Sequence, residues 1–294
     1  MSVKVGYLGP KGTFTKIAVD SMFNGEEKQG YKSIPQCIDA VETGEIDYAV
    51  VPLENAIEGT VNVTLDYLIQ KENVKIVSEV IVPIRQHLMV HPDNVTLYQE
   101  KVAIIYSHPH AIAQCHSYLR EKLPNVDAQT MGSTGAAAKY VSEHPEEQIA
   151  AIANHLAAKE YGLVIVEKDI HDFDNNHTRF VVLHKSKNAL TSNKLEEKGY
   201  KTTITVSLPS DRPGALHQVL SAFAWRNLNL SKIESRPMKT GLGNYYFLID
   251  IEQKLDDVLI PNAIAEMESL GCTVELLGSY PYYLHSGNGV TLTV

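Results

Sequence analysis

The sequence predicts an α/β protein with a second, smaller domain at its C-terminal end. In the first half of the chain, short apolar strand-like segments alternate with amphipathic helix-like ones, which is typical of sheets covered by helices. A polar and charged stretch at 186–200 interrupts this pattern and is predicted to be a linker. After it the elements follow the order βαββαβ, which is ferredoxin-like. A chain of 294 residues is long enough for two such domains.

The first domain is predicted to span 1–185. Apolar runs predict strands at 3–8, 46–52, 74–83, 101–106, 149–153 and 180–183. Helical patterns predict a helix ending near Met22 and others at 63–70, 111–119 and 133–141. In parallel sheets ligands bind beyond the carboxyl ends of strands, so we expect the loops there to converge on one cleft.

The second domain is predicted to span 201–284, followed by a tail at 285–294. Its strands are expected at 202–208, 228–236, 245–252 and 273–277, with a glycine-rich turn at Gly241 and Gly243. Its helices are expected at 213–226 and in a segment ending at Gly271.

Composition and charge exclude several classes of protein. A net charge of -9 disfavours a nucleic-acid binder, because phosphate contacts need a basic face. The three cysteines are widely separated and form neither a metal-ligand pattern nor a disulfide framework. No apolar run approaches the roughly 20 residues of a membrane helix, and no signal peptide precedes the first strand. We expect a cytoplasmic protein without membrane contact.

Three motifs are more specific than the overall pattern. Thr178-Arg179-Phe180 opens an apolar strand, and Tyr161, Leu163, Val166 and Asp172 precede it at fixed spacings. Glu54-Asn55 lies in the segment 52–60, and the third motif is the segment 230–237. The first two motifs resemble signatures of the prephenate dehydratase family, and the third resembles that of its regulatory ACT domain.

The resemblance implies a catalytic domain of two lobes, like a periplasmic binding protein, followed by an ACT domain. It implies decarboxylation and dehydration of prephenate to phenylpyruvate, with no cofactor and no metal. It also implies inhibition by L-phenylalanine and a homodimer or homotetramer formed through the ACT and catalytic domains. Arogenate dehydratase is an alternative that the motifs do not separate, and a non-catalytic amino-acid sensor is another.

The resemblance also suggests catalytic residues. Thr178 is expected to donate a hydrogen bond to the departing hydroxyl, and Arg179 to bind a substrate carboxylate through a bidentate fork. Glu54 is expected to act as a general acid if burial raises its pKa. Whether Thr178 or Glu54 delivers the proton stays open at this point.

Further residues are expected to line the cleft and bind substrate. They are Asn55, Thr13, Ser107, Gln114, Ser133, Thr134 and Phe180. Ser133 and Thr134 open a helix, and Thr13 follows a strand, so backbone amides at both places could hold carboxylates. The nearby His108, His110, Cys115 and His116 fit no zinc-ligand spacing.

Phenylalanine is expected to bind between the ACT domains of two chains. The first segment is Gly214-Ala215-Leu216-His217, at a turn into a helix, where His217 replaces the family's small apolar residue. The second segment is Glu234-Ser235-Arg236-Pro237, at the end of a strand.

Overall fold

The computed structural model of the chain describes residues 2–96, 98–210, 212–237 and 245–285. The predicted turn at Gly241 and Gly243 and the tail beyond His285 lie outside these residues. Two α/β lobes form the first domain, and the chain enters the second lobe after one long strand and returns to the first lobe through another. Both the two-lobed first domain and the βαββαβ order of the second domain are confirmed.

Strands and helices alternate through most of the chain. The first lobe contains β1 (Lys4–Leu8), α1 (Phe14–Met22), β2 (Glu27–Tyr31), α2 (Ile34–Thr43), β3 (Tyr48–Asn55), β4 (Gly59–Thr60), α3 (Asn62–Leu68) and β5 (Lys75–Pro83). The second lobe contains β6 (His87–Val90), α4 (Tyr98–Lys101), β7 (Ile104–Ser107), α5 (Pro109–Ala113), α6 (His116–Lys122), β8 (Asp127–Thr130), α7 (Thr134–Glu143), β9 (Ile149–Ala153), α8 (His155–Tyr161) and β10 (Val164–Glu167). β11 (His177–His184) returns to the first lobe. The C-terminal domain contains β12 (Glu197–Ser207), α9 (Ala215–Ala224), β13 (Leu230–Pro237), β14 (Tyr245–Ile251), α10 (Leu259–Ser269) and β15 (Thr273–Leu284).

One sheet joins the first lobe to the C-terminal domain. Its strand order is β13-β14-β12-β15-β5-β11-β3-β1-β2, with β4 paired to β3. The junction is the parallel pairing of β15 with β5, in which Tyr282 is in register with Glu79. The second lobe has its own sheet, in the order β10-β6-β9-β7-β8. The C-terminal domain therefore continues the sheet of the first lobe.

Both sheets are mixed, whereas the alternating pattern suggested parallel ones. β1 is parallel to β2 and β3, but β11 is antiparallel to both of its neighbours, β3 and β5. The reason is that β11 returns from the second lobe instead of following a crossover helix. This return places the residues at the start of β11 beside those at the end of β3.

Several predicted boundaries differ from the structure. The predicted helix 111–119 is divided into α5 and α6, because the Gln114 carbonyl accepts the Asp172 N–H (2.6 Å) instead of continuing the helix. The predicted strand 101–106 begins only at Ile104, since Lys101 ends α4. Residues 197–200 of the predicted linker belong to β12. β15 continues to Leu284, where Tyr280 and Tyr283 are buried.

Separate apolar cores pack the helices onto the sheets. One cluster packs α2 and α3 against β3 and β11 and reaches Leu277 and Tyr280 of β15. Another packs α9 and α10 on the C-terminal strands. No helix among the described residues has the length and apolar character needed to cross a membrane.

Candidate active site

A cleft of about 1030 Å³ lies between the two lobes. The first lobe contributes the loop after β1, the β3–β4 hairpin and the start of β11, and the second lobe contributes α5 and the start of α7. Seven of the residues predicted to bind substrate or act in catalysis line this cleft: Thr13, Asn55, Gln114, Ser133, Thr134, Thr178 and Phe180. The side chain of Phe180 is almost fully buried in the wall of the cleft.

Thr178 and Asn55 form the centre of the first lobe's wall. They face each other in the register of β11 and β3, and the Asn55 Nδ2 donates to the Thr178 Oγ1 (2.9 Å). The orientation of the Asn55 amide is fixed, because its Oδ1 accepts the N–H groups of Ile57 and Glu58 (3.0 Å each). The Thr178 oxygen therefore acts as an acceptor toward Asn55. Among the described residues its own proton has no acceptor and is available to a ligand.

Two helix N-termini reach the cleft. Thr13 caps α1, its Oγ1 accepting from the Lys16 N–H, and Ser133 caps α7, its Oγ accepting from the Ala136 N–H (3.0 Å). Both helices point the positive end of the backbone dipole at the cleft, which suits anionic groups. The loop before Thr13 is held by the second lobe, since the Asn154 Nδ2 donates to the Gly12 carbonyl (2.9 Å). Gly12 has φ +75°, a backbone conformation that favours glycine.

Ser107 does not take part in the cleft. Its side chain is fully buried, and its Oγ donates to the Ile152 carbonyl (2.6 Å). It fixes β7 to β9 rather than facing the ligand space. The expectation of a substrate contact at Ser107 is therefore wrong.

Glu54 and Arg179 lie on the opposite face of the sheet from the cleft. Successive strand residues point to opposite faces, so the neighbours of Asn55 and Thr178 face the C-terminal domain. The Arg179 guanidinium contacts three protein carboxylates: Glu54 (2.6 Å), Glu79 (2.7 Å) and Asp250 (2.7 Å). Neither Glu54 nor Arg179 is among the residues that line the cleft. The expected fork from Arg179 to a substrate carboxylate is wrong, because these donors are already occupied.

The electrostatics of this face oppose the predicted role of Glu54 as a general acid. Burial would raise the pKa of Glu54, but the hydrogen bond from Lys232 and the charge of Arg179 outweigh it and lower that pKa. Burial opposes ionisation at Glu79 as well, and Arg179 and Lys201 hold the pKa of Glu79 at about 2. Both carboxylates are ionised at neutral pH. The expectation of a raised pKa at Glu54 is wrong.

The sequence motifs did not identify the cationic groups in the cleft. Lys32 follows β2 and lines the cleft with no carboxylate within ion-pair distance among the described residues. Lys11 and Lys28 also line it, but they pair with Glu160 (3.3 Å) and Asp20 (2.6 Å). No pattern marks Lys32, because β2 is a polar strand without apolar alternation.

His110 and Glu58 join the two lobes across the cleft. The His110 Nδ1 lies 3.4 Å from the Glu58 Oε2, and both residues line the cleft. His108 lies beside them, and burial lowers the pKa of its imidazole. No group of three or more metal-ligating side chains occurs within the described ranges.

The predicted effector segments are on the C-terminal domain. Gly214 precedes α9 with φ +82°, Ala215 is buried, Leu216 is half-buried and His217 is exposed. In β13, Ser235 and Pro237 are exposed.

The alternate residues of β13 contact the first lobe. Glu234 accepts a hydrogen bond from the Thr60 hydroxyl, and Arg236 pairs with Asp66 (3.2 Å). One face of this strand therefore contacts the first lobe, while Ser235 and Pro237 on the other face are exposed.

Together these features define a two-lobed α/β protein, with a cleft lined by lysines and two helix N-termini and a C-terminal ferredoxin-like domain fused to one lobe. A model of the prephenate dehydratase family matches residues 5–188, and a model of the ACT domain matches residues 202–267. Since the first match covers more than half of the chain, the chain belongs to the prephenate dehydratase family.

Individual relatives extend the similarity over nearly the whole chain. A prephenate dehydratase of Bacillus subtilis (strain 168) is 57% identical over 285 residues, which cover 96% of this chain and 99% of that protein. A structure of prephenate dehydratase from Arthrobacter aurescens in complex with L-Phe has a TM-score of 0.82 and 33% identity, covering 99% of this chain and 93% of that one.

A further solved structure has the same architecture, but the protein is described by a different activity. GqqA, described as a novel type of quorum-quenching acylase, has a TM-score of 0.82 and 26% identity, covering 95% of this chain and 98% of that one. Because proteins described by two different activities share this fold, the residues of the cleft carry more weight than the fold in assigning a reaction.

Proposed function

We propose that this chain converts prephenate to phenylpyruvate, carbon dioxide and water, and that L-phenylalanine inhibits it through the C-terminal domain. Family membership supports the reaction, and the observation that carries it is the Thr178 hydroxyl in the cleft. Its oxygen accepts from Asn55, which leaves its proton free for the departing hydroxyl of the substrate.

In the proposed reaction two bonds between the substrate ring and its substituents break, and the ring itself stays intact. The electron pair of the ring carbon–carboxylate bond enters the ring as carbon dioxide leaves, and the hydroxyl leaves with the electron pair of its own bond. Thr178 stabilises the oxygen as negative charge develops on it, in the manner of an oxyanion donor. The hydroxide then takes a proton to give water. Glu54 is ionised on the other face of the sheet, so it does not supply this proton.

The charges of the cleft favour prephenate over arogenate. Prephenate carries two carboxylates, and we assign them to Lys32 and to the helix N-termini at Thr13 and Ser133. Arogenate replaces the keto group by an ammonium group, which needs a carboxylate partner. Glu58 is the single acidic side chain among the described residues that line the cleft, and His110 already pairs with it.

We also propose that two chains associate through their C-terminal domains. β13 is an edge strand of the long sheet, and its outward residues Ser231, Ile233 and Ser235 are exposed. An edge of this kind can pair with the same edge of a second chain. Light scattering with and without L-phenylalanine tests this, and a monomer under both conditions contradicts it.

The test of the activity is phenylpyruvate formation from prephenate and from arogenate at equal concentration. We expect prephenate to be preferred and L-phenylalanine to reduce its turnover. A preference for arogenate would keep the proposed chemistry and change the substrate. Absence of turnover from either, in a folded protein that binds L-phenylalanine, would favour the non-catalytic sensor.

A further inference from the structure

A layer of charged side chains fills the contact between the first lobe and the C-terminal domain. Its members are Glu54, Glu79 and Arg179 from the first lobe and Lys201, Lys232 and Asp250 from the C-terminal domain. Glu234 adds a fourth carboxylate, which lies 3.1 Å from Lys232, so four acidic groups meet three basic ones in this layer. The side chains of Glu79 and Asp250 are fully buried, so the layer depends on the pairing for its stability.

Within this layer, Lys232 binds both arms of the β3–β4 hairpin. Its Nζ donates to the Glu54 Oε1 (2.6 Å) and to the Thr60 Oγ1 (2.8 Å), and it lies 3.1 Å from the Glu234 Oε2. Glu54 and Thr60 are paired across the hairpin. Two hydrogen bonds and one ion pair therefore hold the ammonium group between the hairpin and its own strand.

The same hairpin carries Asn55, one residue after Glu54 and on the opposite face. Asn55 donates to the Thr178 hydroxyl and accepts from two amides of the turn that joins β3 to β4. A displacement of Glu54 or Thr60 therefore changes the position of the Asn55 amide relative to Thr178. Thr60 itself lines the cleft, so the effect reaches the ligand space directly.

We propose that Lys232 is a positioning residue, through which the C-terminal domain sets the geometry of Asn55 and Thr178. Lys232 stands two residues before Glu234 on the same face of β13, directly beside the segment expected to bind the effector. A ligand that moves this strand changes the contacts of Lys232 with Glu54 and Thr60 of the hairpin, and thereby the rate of the reaction. The inference rests on the proposed function, since its readout is turnover of prephenate.

The test compares Lys232→Gln with Lys75→Gln. Lys75 is a matched control, because it makes an ion pair with Glu275 across the same domain contact (3.5 Å) and is 12% exposed, against 11% for Lys232. Lys75 is not among the residues that line the cleft. For Lys232→Gln we expect kcat for prephenate to fall by about 10- to 100-fold, the cost of a catalytic group misplaced by up to about an ångström. We expect KM to change much less, and the L-phenylalanine concentration for half inhibition to shift.

The control separates positioning from general stability. Lys75→Gln is expected to keep kcat and the L-phenylalanine response close to wild type. A wild-type kcat for Lys232→Gln, or an equal fall in both variants, overturns the proposal.

A second variant covers the case in which Lys232→Gln does not fold. Lys232→Arg retains the charge but not the compact three-way contact, so it is expected to lower kcat. A wild-type kcat for Lys232→Arg overturns the proposal. Failure of the wild-type chain to turn over prephenate instead refutes the proposed function.

Discussion

Replacement of Thr178 by valine isolates the contribution of one hydroxyl group to catalysis. Valine has nearly the same shape as threonine, so no cavity forms in the wall of the cleft. Asn55 loses one hydrogen-bond acceptor but keeps the Asn176 Oδ1 (2.8 Å) and the His177 carbonyl (3.3 Å). The free energy of unfolding should therefore change by less than about 1 kcal/mol.

The catalytic effect of Thr178→Val should be much larger. The hydroxyl is the proposed donor to the departing oxygen, and removal of one such donor typically lowers kcat by about 10²- to 10³-fold, which corresponds to about 3–4 kcal/mol in the activation barrier. The assay is the initial rate of phenylpyruvate formation at saturating prephenate, with Thr178→Ser as the variant that retains a hydroxyl. A kcat for the valine variant within about threefold of wild type would refute the role of Thr178, since that is less than about 1 kcal/mol in the barrier.

Three further predictions concern the charged layer and the effector segment. Arg179→Lys should lower the free energy of unfolding by about 1.5–3 kcal/mol in chemical denaturation, because a lysine ammonium group keeps the charge but cannot reproduce the planar fork that reaches Glu54, Glu79 and Asp250. An unchanged stability together with a raised KM for prephenate would instead support the original assignment of Arg179 to a substrate carboxylate. Acid should weaken the fold through Glu79, whose pKa falls from 4.5 to about 2 on folding. Its contribution is complete above pH 4.5 and is lost as the pH falls toward 2, a change of about 3 kcal/mol; a denaturation midpoint that does not change over this range contradicts it. Gly214→Ala places a Cβ at φ +82°, so inhibition assays should show a higher L-phenylalanine concentration for half inhibition, and an unchanged value would place the effector elsewhere.

The sequence predicts the architecture well because apolar patterns and caps are local signals. The strands with apolar runs, the helix capped by Ser133 and the βαββαβ order of the second domain all follow from them. The polar strand β2 has no such pattern and was not predicted. The continuous sheet through β15 and β5 depends on a pairing between distant segments, which no local pattern records.

The site could be predicted in part, and the main error has a simple physical cause. A motif places Thr178 and Arg179 side by side, but neighbours in a strand point to opposite faces. The same alternation separates Asn55 from Glu54. By this rule one member of each pair belongs to the cleft and the other to the domain contact. Arg179 and Glu54 face the domain contact, where they pair with Asp250 and Lys232. These partners lie too far along the chain to be inferred from the sequence.

The central proposal is that a decarboxylating dehydration of prephenate takes place in the cleft. The most direct measurement of that reaction is the amount of phenylpyruvate and of carbon dioxide that the purified chain releases from prephenate. We predict equal amounts of the two products, formed at a rate that Thr178→Val reduces strongly. Absence of both products, or their formation at the same rate by the valine variant, would contradict the proposed chemistry.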